Sequence, residues 1–428
     1  MQSPDQYPLE GLDGHAAVLA VGQTLRRIDR RLMDHGARVA YIACELMEEG
    51  QLDLDKKTLL MLCLFHDIGA YKTDEISRML EFETRNVWNH SCYGYLFLKY
   101  FTPLEEKAEA VLYHHIPWKE TARLPNSIRN YAGMIHFADR VDIMARGDKQ
   151  QKQHFQQLCE NGSGFFSKET IEIFQSCVEK RRLFECLENG EYRQTIRQHL
   201  NGMEISSEEA LQYLKMLVYS IDFRSEYTVT HTINTTAISL NIAKHFNLSK
   251  AEKEKIYLGA LLHDVGKIAI PLEILEFPGK LTPEQMAVMR THVSETESMI
   301  EGIVDDEICQ IAARHHEKLD GSGYPHGRTA EELTFPQRIV AVADIISALA
   351  SRRSYKEPFP QEKTIQILMG MQQKQLDGEI CRYVAANYEG IMADTDTQRD
   401  PVIHQYQQIY QEFLQLQRAE KKSSASQG

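Results

Sequence analysis

Two ordered series of histidines and aspartates run through this 428-residue chain. The first is His35, His66–Asp67, His90, His114–His115 and Asp139; the second is His231, His263–Asp264, His292, His315–His316 and Asp344. The second centres on Leu258–Lys267 (LGALLHDVGK), an apolar run that ends in adjacent His and Asp. A buried helix has no ordinary use for such a pair, because unpaired polar groups there cost several kcal/mol. Either each finds a hydrogen-bonding partner or the pair ligates a metal. One His-Asp dipeptide decides nothing, since about one arises by chance at this length. The order and spacing decide it. The offsets are 196 (35 to 231), 197 (66 to 263), 202 (90 to 292), 201 (114 to 315) and 205 (139 to 344), the signature of an internal duplication.

Neutral imidazole and carboxylate together suit divalent iron, manganese, zinc or cobalt, and the lack of clustered Cys disfavours a structural zinc knuckle. Four or five imidazoles with two carboxylates exceed the needs of one tetrahedral ion. Two ions sharing a carboxylate account for them better, and Asp264, beside His263 at the centre, is the natural bridge. Paired metals about 3.5–4 Å apart hydrolyse phosphoesters: they generate hydroxide at neutral pH and hold the attacking and leaving oxygens in line. Lys267, three residues on, could bring its ammonium to a phosphoryl oxygen.

The residues must be held by helices. His35, Val39, Ile42 and Leu46 lie on one face of a 3.6-residue period, and Gly50 ends that segment. Leu59–His66 is apolar all round and reads as a central helix. Tyr93, Leu96, Phe97 and Tyr100 follow His90 at helical spacing, and Tyr131–Met144 carries Asp139 with Asp142 one turn on. In the second copy the corresponding runs are Thr228–Phe246, Ile256–His263, a helix capped at Thr282-Pro283 that carries His292, Val304–Glu317 and Pro336–Ala350. Ile268–Gly279, with Pro271 and Pro278, reads as extended, and Tyr406, Ile409, Phe413 and Leu416 as a last amphipathic helix before a polar, disordered tail, KKSSASQG. β signals are weak throughout. The expectation is an all-α fold of two tandem helical domains: a lead-in over 1–22, a first domain over 23–180, a polar helical connector over 181–220, a second domain over 221–400, and a terminal helix and tail over 401–428.

A hydrophobic fraction of 43% and a charged fraction of 25% are ordinary for a soluble globular protein. The net charge of −13 argues against binding polymeric nucleic acid, which needs a basic face. The eight cysteines show no CxxC spacing and read as reduced, small core residues. No signal pattern opens the chain, and no apolar stretch approaches 18 residues. A cytoplasmic location with no membrane partner is expected.

With these motifs in place, the second copy resembles the HD-GYP family, the cyclic dinucleotide phosphodiesterase branch of the HD phosphohydrolases. The resemblance runs from about Ser225 to Glu389 through HDVGKIAIP (263–271), PGKLTPEQ (278–285), HHEKLDGSGYPHG (315–327) and RIVAVAD (338–344). It implies that His231, His263, Asp264, His292, His315, His316 and Asp344 ligate two divalent ions, iron or manganese foremost. It implies that Lys267 assists at the phosphate, that Gly323, Tyr324 and Pro325 line the ligand site, and that Arg353 and Lys356 contact phosphates or guanine. Tyr227 stands where trinuclear members carry Glu, which favours two ions, and Ser347 and Ser354 replace the usual Asp and Pro. The first copy resembles a plainer HD domain. It keeps His35, His66, Asp67, His90, His114, His115 and Asp139 as a second metal site, and Asp142 as well. Ala70 replaces the lysine, Lys72 would project from another face, and the GYP loop is absent. Reduced or different catalysis is expected there, with a regulatory nucleotide site as the competing reading.

The remaining features have plainer readings. His15, His136, His154, His199, His245 and His404 fit neither series and read as surface or core residues. His326 is evenly balanced between solvent and ligand. Trp88 and Trp118 read as packing rather than base stacking, and the Tyr406–Phe413 stripe as packing within its own domain rather than a dimer seam. The implied activity is metal-hydroxide hydrolysis of a cyclic dinucleotide, cyclic di-GMP first, to the linear dinucleotide or GMP. A cyclic GMP-AMP substrate and a catalytically weak nucleotide-sensing module are the alternatives. A homodimer and signalling-protein partners stay open.

Overall fold

A computed structural model describes residues 12–22, 34–72, 88–160, 164–223, 230–351, 358–372 and 374–425. Among these the fold is all-α: no strand occurs, and extended pairing is limited to two isolated bridges, Leu12 with Val304 and Asp320 with Thr329. No helix among the described residues is long and apolar enough to cross a membrane. Two compact units form, one from the residues up to Ala20 with Leu217–Gln408, the other from Val21–Met216 with the residues from Ile409 on.

Helix α1 (Gly14–Gly22) precedes the first copy, which comprises α2 (His35–Glu49), α3 (Lys56–Phe65), a 3₁₀ turn (Ile68–Lys72), α4 (Trp88–Phe101), α5 (Glu109–Leu112) and α6 (Asn126–Arg146). Helix α2 buries His35, Val39, Ile42 and Leu46 on one face, and Gly50 caps it with an N–H to Leu46 O at 3.0 Å. Helix α3 starts where Asp55 accepts from Thr58 N–H at 2.7 Å and is buried from Leu59 to Phe65. Five helices follow: α7 (Lys149–Glu160), α8 (Lys168–Lys180), α9 (Leu183–Asn189), α10 (Tyr192–Asn201) and α11 (Ser207–Asp222). The stretch read as a polar connector contributes Leu183, Leu187, Tyr192, Ile196 and Leu200 to a buried face. Arg193 pairs there with Asp34 at 2.6 Å.

The second copy repeats the plan with α12 (His231–His245), α13 (Lys250–Leu262), a 3₁₀ turn (Val265–Ala269), α14 (Leu272–Leu275), α15 (Pro283–Ile300), α16 (Asp306–Ala313), α17 (Phe335–Ala350), α18 (Gln361–Met371) and α19 (Gly378–Ala425). Capping boxes start three of these helices: Ser249 with Glu252, Thr282 with Gln285 and Thr334 with Gln337. Ile238, Ile242, Ile256, Ile311, Val342 and Ile346 pack together behind the histidines.

The glycine two residues past each His-Asp pair explains how the copies close on their centres. A Cβ at Gly69 would lie 2.1 Å from His90 O, and one at Gly266 would lie 2.0 Å from His292 O. Only glycine lets the 3₁₀ turn lie against the helix that brings the next histidine.

Three expectations change. Ile268–Gly279 is not extended: the 3₁₀ turn reaches Ala269, and Pro271 then initiates the single turn of α14. The His pair lies beyond α16, not on it, because the His315 side chain takes the Ala312 carbonyl at 2.6 Å. The terminal helix does not begin at 401: α19 runs from Gly378 through Pro401, with a break at Asn387, into the polar tail as far as Ala425.

Candidate metal centres

Each copy gathers its entire series into one buried place. Asp264 Oδ2 lies 3.1 Å from His263 Nε2 and 3.4 Å from His231 Nε2, while Oδ1 lies 3.4 Å from His292 Nε2 and 3.9 Å from His315 Nε2. Asp67 does the same in the first copy. Its Oδ2 is 3.2 Å from His66 Nε2 and 3.5 Å from His35 Nε2, and its Oδ1 is 3.6 Å from His90 Nε2 and 3.8 Å from His114 Nε2. One carboxylate therefore faces two imidazole clusters, one on each oxygen. Asp344 closes the rim with Oδ1 3.0 Å from His231 Nε2 and Oδ2 3.5 Å from His316 Nδ1. Asp139 matches it, at 3.3 Å from His35 Nε2 and 3.7 Å from His115 Nδ1.

The helices also set the tautomers. Nδ1 of His263, His292 and His315 donates to the carbonyl three residues back, at Ala260 (2.7 Å), Met289 (2.6 Å) and Ala312 (2.6 Å). His66 and His114 do likewise to Cys63 and Val111. Each ring thus turns an Nε2 lone pair inward, as a metal ligand must. In the first copy His66 Nε2, His114 Nε2 and Asp67 Oδ1 are buried and make no hydrogen bond. Leaving such groups unsatisfied costs about 1–3 kcal/mol each. Divalent cations fit both donor sets.

Charge is arranged to match. Burial opposes ionisation of Asp264, but the His263 and Lys267 charges hold its carboxyl well below the usual range. Burial keeps His114, His115 and His315 well below the ordinary imidazole value, and takes His316 down to about 3. His35 runs the other way: burial lowers it, but bonds to Asp139 and Asp142 outweigh burial and raise it to about 10. Burial also pushes the Asp222 carboxyl, which feels the Asp264 charge, up to about 7.

Lys267 Nζ is in contact with Asp264 Oδ2. The Gly323-Tyr324-Pro325 loop reaches the same centre: the Tyr324 ring lies 4.7 Å from that of His316, and Tyr324 N–H donates to His316 O at 3.2 Å. Gly323 is required, because a Cβ would sit 2.5 Å from Glu317 Cα. Arg353, Lys356, Tyr227 and Ser354 lie outside the described residues, as does the Lys72 side chain.

Sequence reasoning missed several neighbours. Glu317 is buried and its carboxylate accepts from the N–H groups of His326 (2.8 Å) and Arg328 (2.9 Å), which fixes the GYP loop. Arg290 lies 4.9 Å over the Tyr324 ring. Arg38 and Arg146 both pair with Asp142, and their spacing, one turn from His35 and one from Asp142, was the available signal. Arg140 sits inside the first centre.

The side chains outside the series mostly pack. His136 lies 4.9 Å from Phe165 and 5.3 Å from Phe166, and His245 stacks on Tyr383 at 3.7 Å. Arg129 covers Trp118 at 3.7 Å, and Trp88 lies 6.4 Å from Tyr113. Tyr406 stacks with Phe223 at 5.3 Å within one unit, and Phe413 with Tyr93 at 4.2 Å within the other. The half-exposed His326 ring faces Glu297 at 3.8 Å.

Comparison with known proteins agrees with this geometry. Residues 32–144 and 209–380 each match a model described as the HD domain. Over 379 residues, 82% of this chain and 86% of the relative, the sequence is 27% identical to 3′3′-cGAMP-specific phosphodiesterase 1 of Vibrio cholerae. Over 181 residues, 42% of this chain and 48% of the relative, it is 36% identical to cyclic di-GMP phosphodiesterase response regulator RpfG of Xanthomonas campestris. A crystal structure described as a cyclic GMP-AMP specific phosphodiesterase of V. cholerae (V-cGAP3) shares the fold. It has a TM-score of 0.53 and 19% identity, covering 88% of this chain and 97% of that one.

Proposed function

Because the chain belongs to the HD-domain family in both of its halves, we propose that its second half is a metal-dependent phosphodiesterase that opens a cyclic dinucleotide. The observation that carries this reading is Asp264 facing an imidazole cluster on each carboxylate oxygen, with the Lys267 ammonium beside it. His231, His263, Asp264 and Asp344 would hold one ion, and Asp264, His292, His315 and His316 the other. Iron or manganese suits this sulfur-free set of imidazoles and carboxylates. Bound divalent ions supply Lewis acidity and lower the pKa of water at the centre.

The chain's own groups do the rest. Asp264 holds both clusters in one frame, and the inward Nε2 lone pairs are preset by backbone carbonyls. Lys267 is placed to stabilise charge on a phosphoryl oxygen as the ester opens. Tyr324, whose N–H donates to His316 O in a loop that Glu317 fixes further along, offers a ring against which a base or ribose can pack, and Arg353 and Lys356 would take the second phosphate or a guanine edge. The free cysteines suit a reducing, cytoplasmic setting.

Two substrates are in contention. The motifs of the second half favour cyclic di-GMP; the alignment that runs through both halves favours 3′3′-cGAMP, the substrate in that relative's name. The deciding experiment incubates manganese- or iron-loaded protein with each cyclic dinucleotide and follows the linear product. Wild type is compared with His263→Ala/Asp264→Ala and His66→Ala/Asp67→Ala. Turnover lost only in the second-half variant supports the reading, and equal loss in both would mean that both centres work or that one depends on the other. No turnover of any cyclic dinucleotide would replace it with a nucleotide-sensing module.

A further inference from the structure

Thr296 ties the two sides of the second centre together. It lies one turn past His292 on α15 and is fully buried. A threonine inside a helix ordinarily turns its hydroxyl to a carbonyl of its own helix, one turn back. This one leaves its helix. Its Oγ1 accepts from Gly266 N–H at 2.9 Å and donates to His263 O at 3.0 Å. The directions are forced, because an amide N–H can only donate and a carbonyl can only accept.

In a 3₁₀ turn the carbonyl of residue i takes the N–H of residue i+3. His263 and Gly266 stand in that relation, and the hydroxyl is inserted between them. The next bond of the turn is direct, Lys267 N–H to Asp264 O at 2.9 Å. His263 is held a second time by its own ring, through Ala260 O at 2.7 Å. Asp264 therefore sits between two tethered residues, and Lys267 follows the second of them.

The strap comes from the helix that delivers His292. That ring faces Asp264 Oδ1 at 3.4 Å, while the His263 ring faces Oδ2 at 3.1 Å. One hydroxyl thus links the element behind one imidazole cluster to the element behind the other. The first copy keeps the turn, with Ala70 N–H donating to Asp67 O at 2.9 Å. The offset of 202 that maps His90 onto His292 also maps Gly94 onto Thr296. A Cβ at Gly94 would lie 3.1 Å from His66 O and 3.7 Å from Gly69 N, the counterparts of the two atoms that Thr296 bonds. The helix reaches the same place there, but a glycine offers no hydroxyl.

We propose that Thr296 is a positioning residue of the second centre: its hydroxyl fixes the turn that aims Asp264 and Lys267, a restraint that Gly94 does not give the first. This rests on the reading that the second half is a metal-dependent cyclic dinucleotide phosphodiesterase. Removing the hydroxyl leaves every ligand in place but frees Asp264 and Lys267 to drift from the geometry that the chemistry needs.

The test uses three variants of the full chain. Thr296→Val keeps the shape and removes the hydroxyl, and Thr296→Ser keeps the hydroxyl. Thr296→Gly, the first copy's residue, serves if the valine variant does not fold. Manganese-loaded proteins are compared for bound metal and for kcat and KM with cyclic di-GMP and 3′3′-cGAMP. Metal-free proteins are compared for amide hydrogen exchange across Leu258–Ala269. In Thr296→Val, kcat should fall by about 10–100-fold, with KM within about twofold and the metal count unchanged. Exchange in the turn should quicken by about tenfold, and Thr296→Ser should match wild type in every readout. An unchanged kcat, or unchanged exchange, in a folded valine or glycine variant would overturn the proposal. So would metal lost in step with activity, a change confined to KM, or a serine variant as slow as the valine one. No turnover of either dinucleotide by wild type would instead remove the underlying reading, and the exchange rates would still decide whether the hydroxyl fixes the turn.

Discussion

Ser347 Oγ accepts from His231 Nδ1 at 2.9 Å and donates its own proton to the His231 carbonyl at 3.0 Å. In the first copy the same place is taken by Asp142, whose Oδ2 accepts from His35 Nδ1 at 2.7 Å. The exchange is not isolated. Asp142 is neutralised by Arg38 and Arg146, and the offsets map these onto Asn234 and Ser351, which bond to one another at 3.2 Å. A charged trio behind one centre has become a neutral trio behind the other. Ser347 is thus part of a concerted replacement that keeps the histidine oriented, and it is not a sign of decay.

Restoring one charge without its partners should therefore cost stability. Ser347→Asp places a carboxylate in a buried site with no arginine among the described residues, and Asn234→Arg places a guanidinium there with no carboxylate in place of Ser347. Each single variant should be destabilised by several kcal/mol, and the double variant should recover part of that, a coupling of about 1–3 kcal/mol. Urea unfolding of the four proteins measures it. Additive losses would show that the two positions do not communicate.

Lys267 is expected to act on chemistry rather than on assembly. Lys267→Met should leave the metal content intact, because no imidazole depends on the ammonium for its tautomer. Turnover of the cyclic dinucleotide should fall by about 10²–10³-fold, the usual cost of removing one donor to developing charge. Steady-state kinetics beside elemental analysis decides the matter. A parallel loss of metal would make Lys267 a structural partner of Asp264.

Glu317 lies one residue past the His pair but points away from the centre, into the backbone of the GYP loop. Glu317→Gln keeps the shape while one acceptor oxygen becomes a donor, which sets it against a loop N–H. The loop should loosen and KM should rise by about tenfold, the equivalent of about 1.4 kcal/mol, while metal content holds. An unchanged KM would mean that the loop is held by Gly323 and the Tyr324 N–H alone.

Much of both centres was legible because metal ligation demands particular residue types in a fixed order, and duplication printed that order twice. Helical periodicity placed His35, Asp139 and Asp344 on buried faces. What stayed hidden was set by contacts distant in sequence. Arg140 looks like a surface residue beside a ligand until His115 closes over it from another segment, and Arg38 meets Asp142 across 104 residues. The helical tail was misread for a different reason: composition predicts solvation, but a helix already propagated through Pro401 extends at little further cost.

His136, which stands outside both ligand series, supplies a pH dependence of its own. It lies on α6, 2% exposed between Phe165 and Phe166, and burial, reinforced by the Arg140 charge, lowers its pKa from 6.5 to about 3. Between those values the unfolded chain binds a proton that the folded chain refuses. Stability from this residue is therefore unaffected above pH 6.5 and falls as pH drops below it, by about 1.4 kcal/mol per pH unit. His136→Gln removes the titrating group, so its loss of stability between pH 6.5 and pH 4.5 should be shallower than that of wild type by about one proton's worth of slope. Urea midpoints across that range for the two metal-free proteins measure the difference. Parallel slopes would mean that the folded protein admits a proton at this ring, and that the aromatic enclosure is looser than the 4.9 Å approach of Phe165 implies.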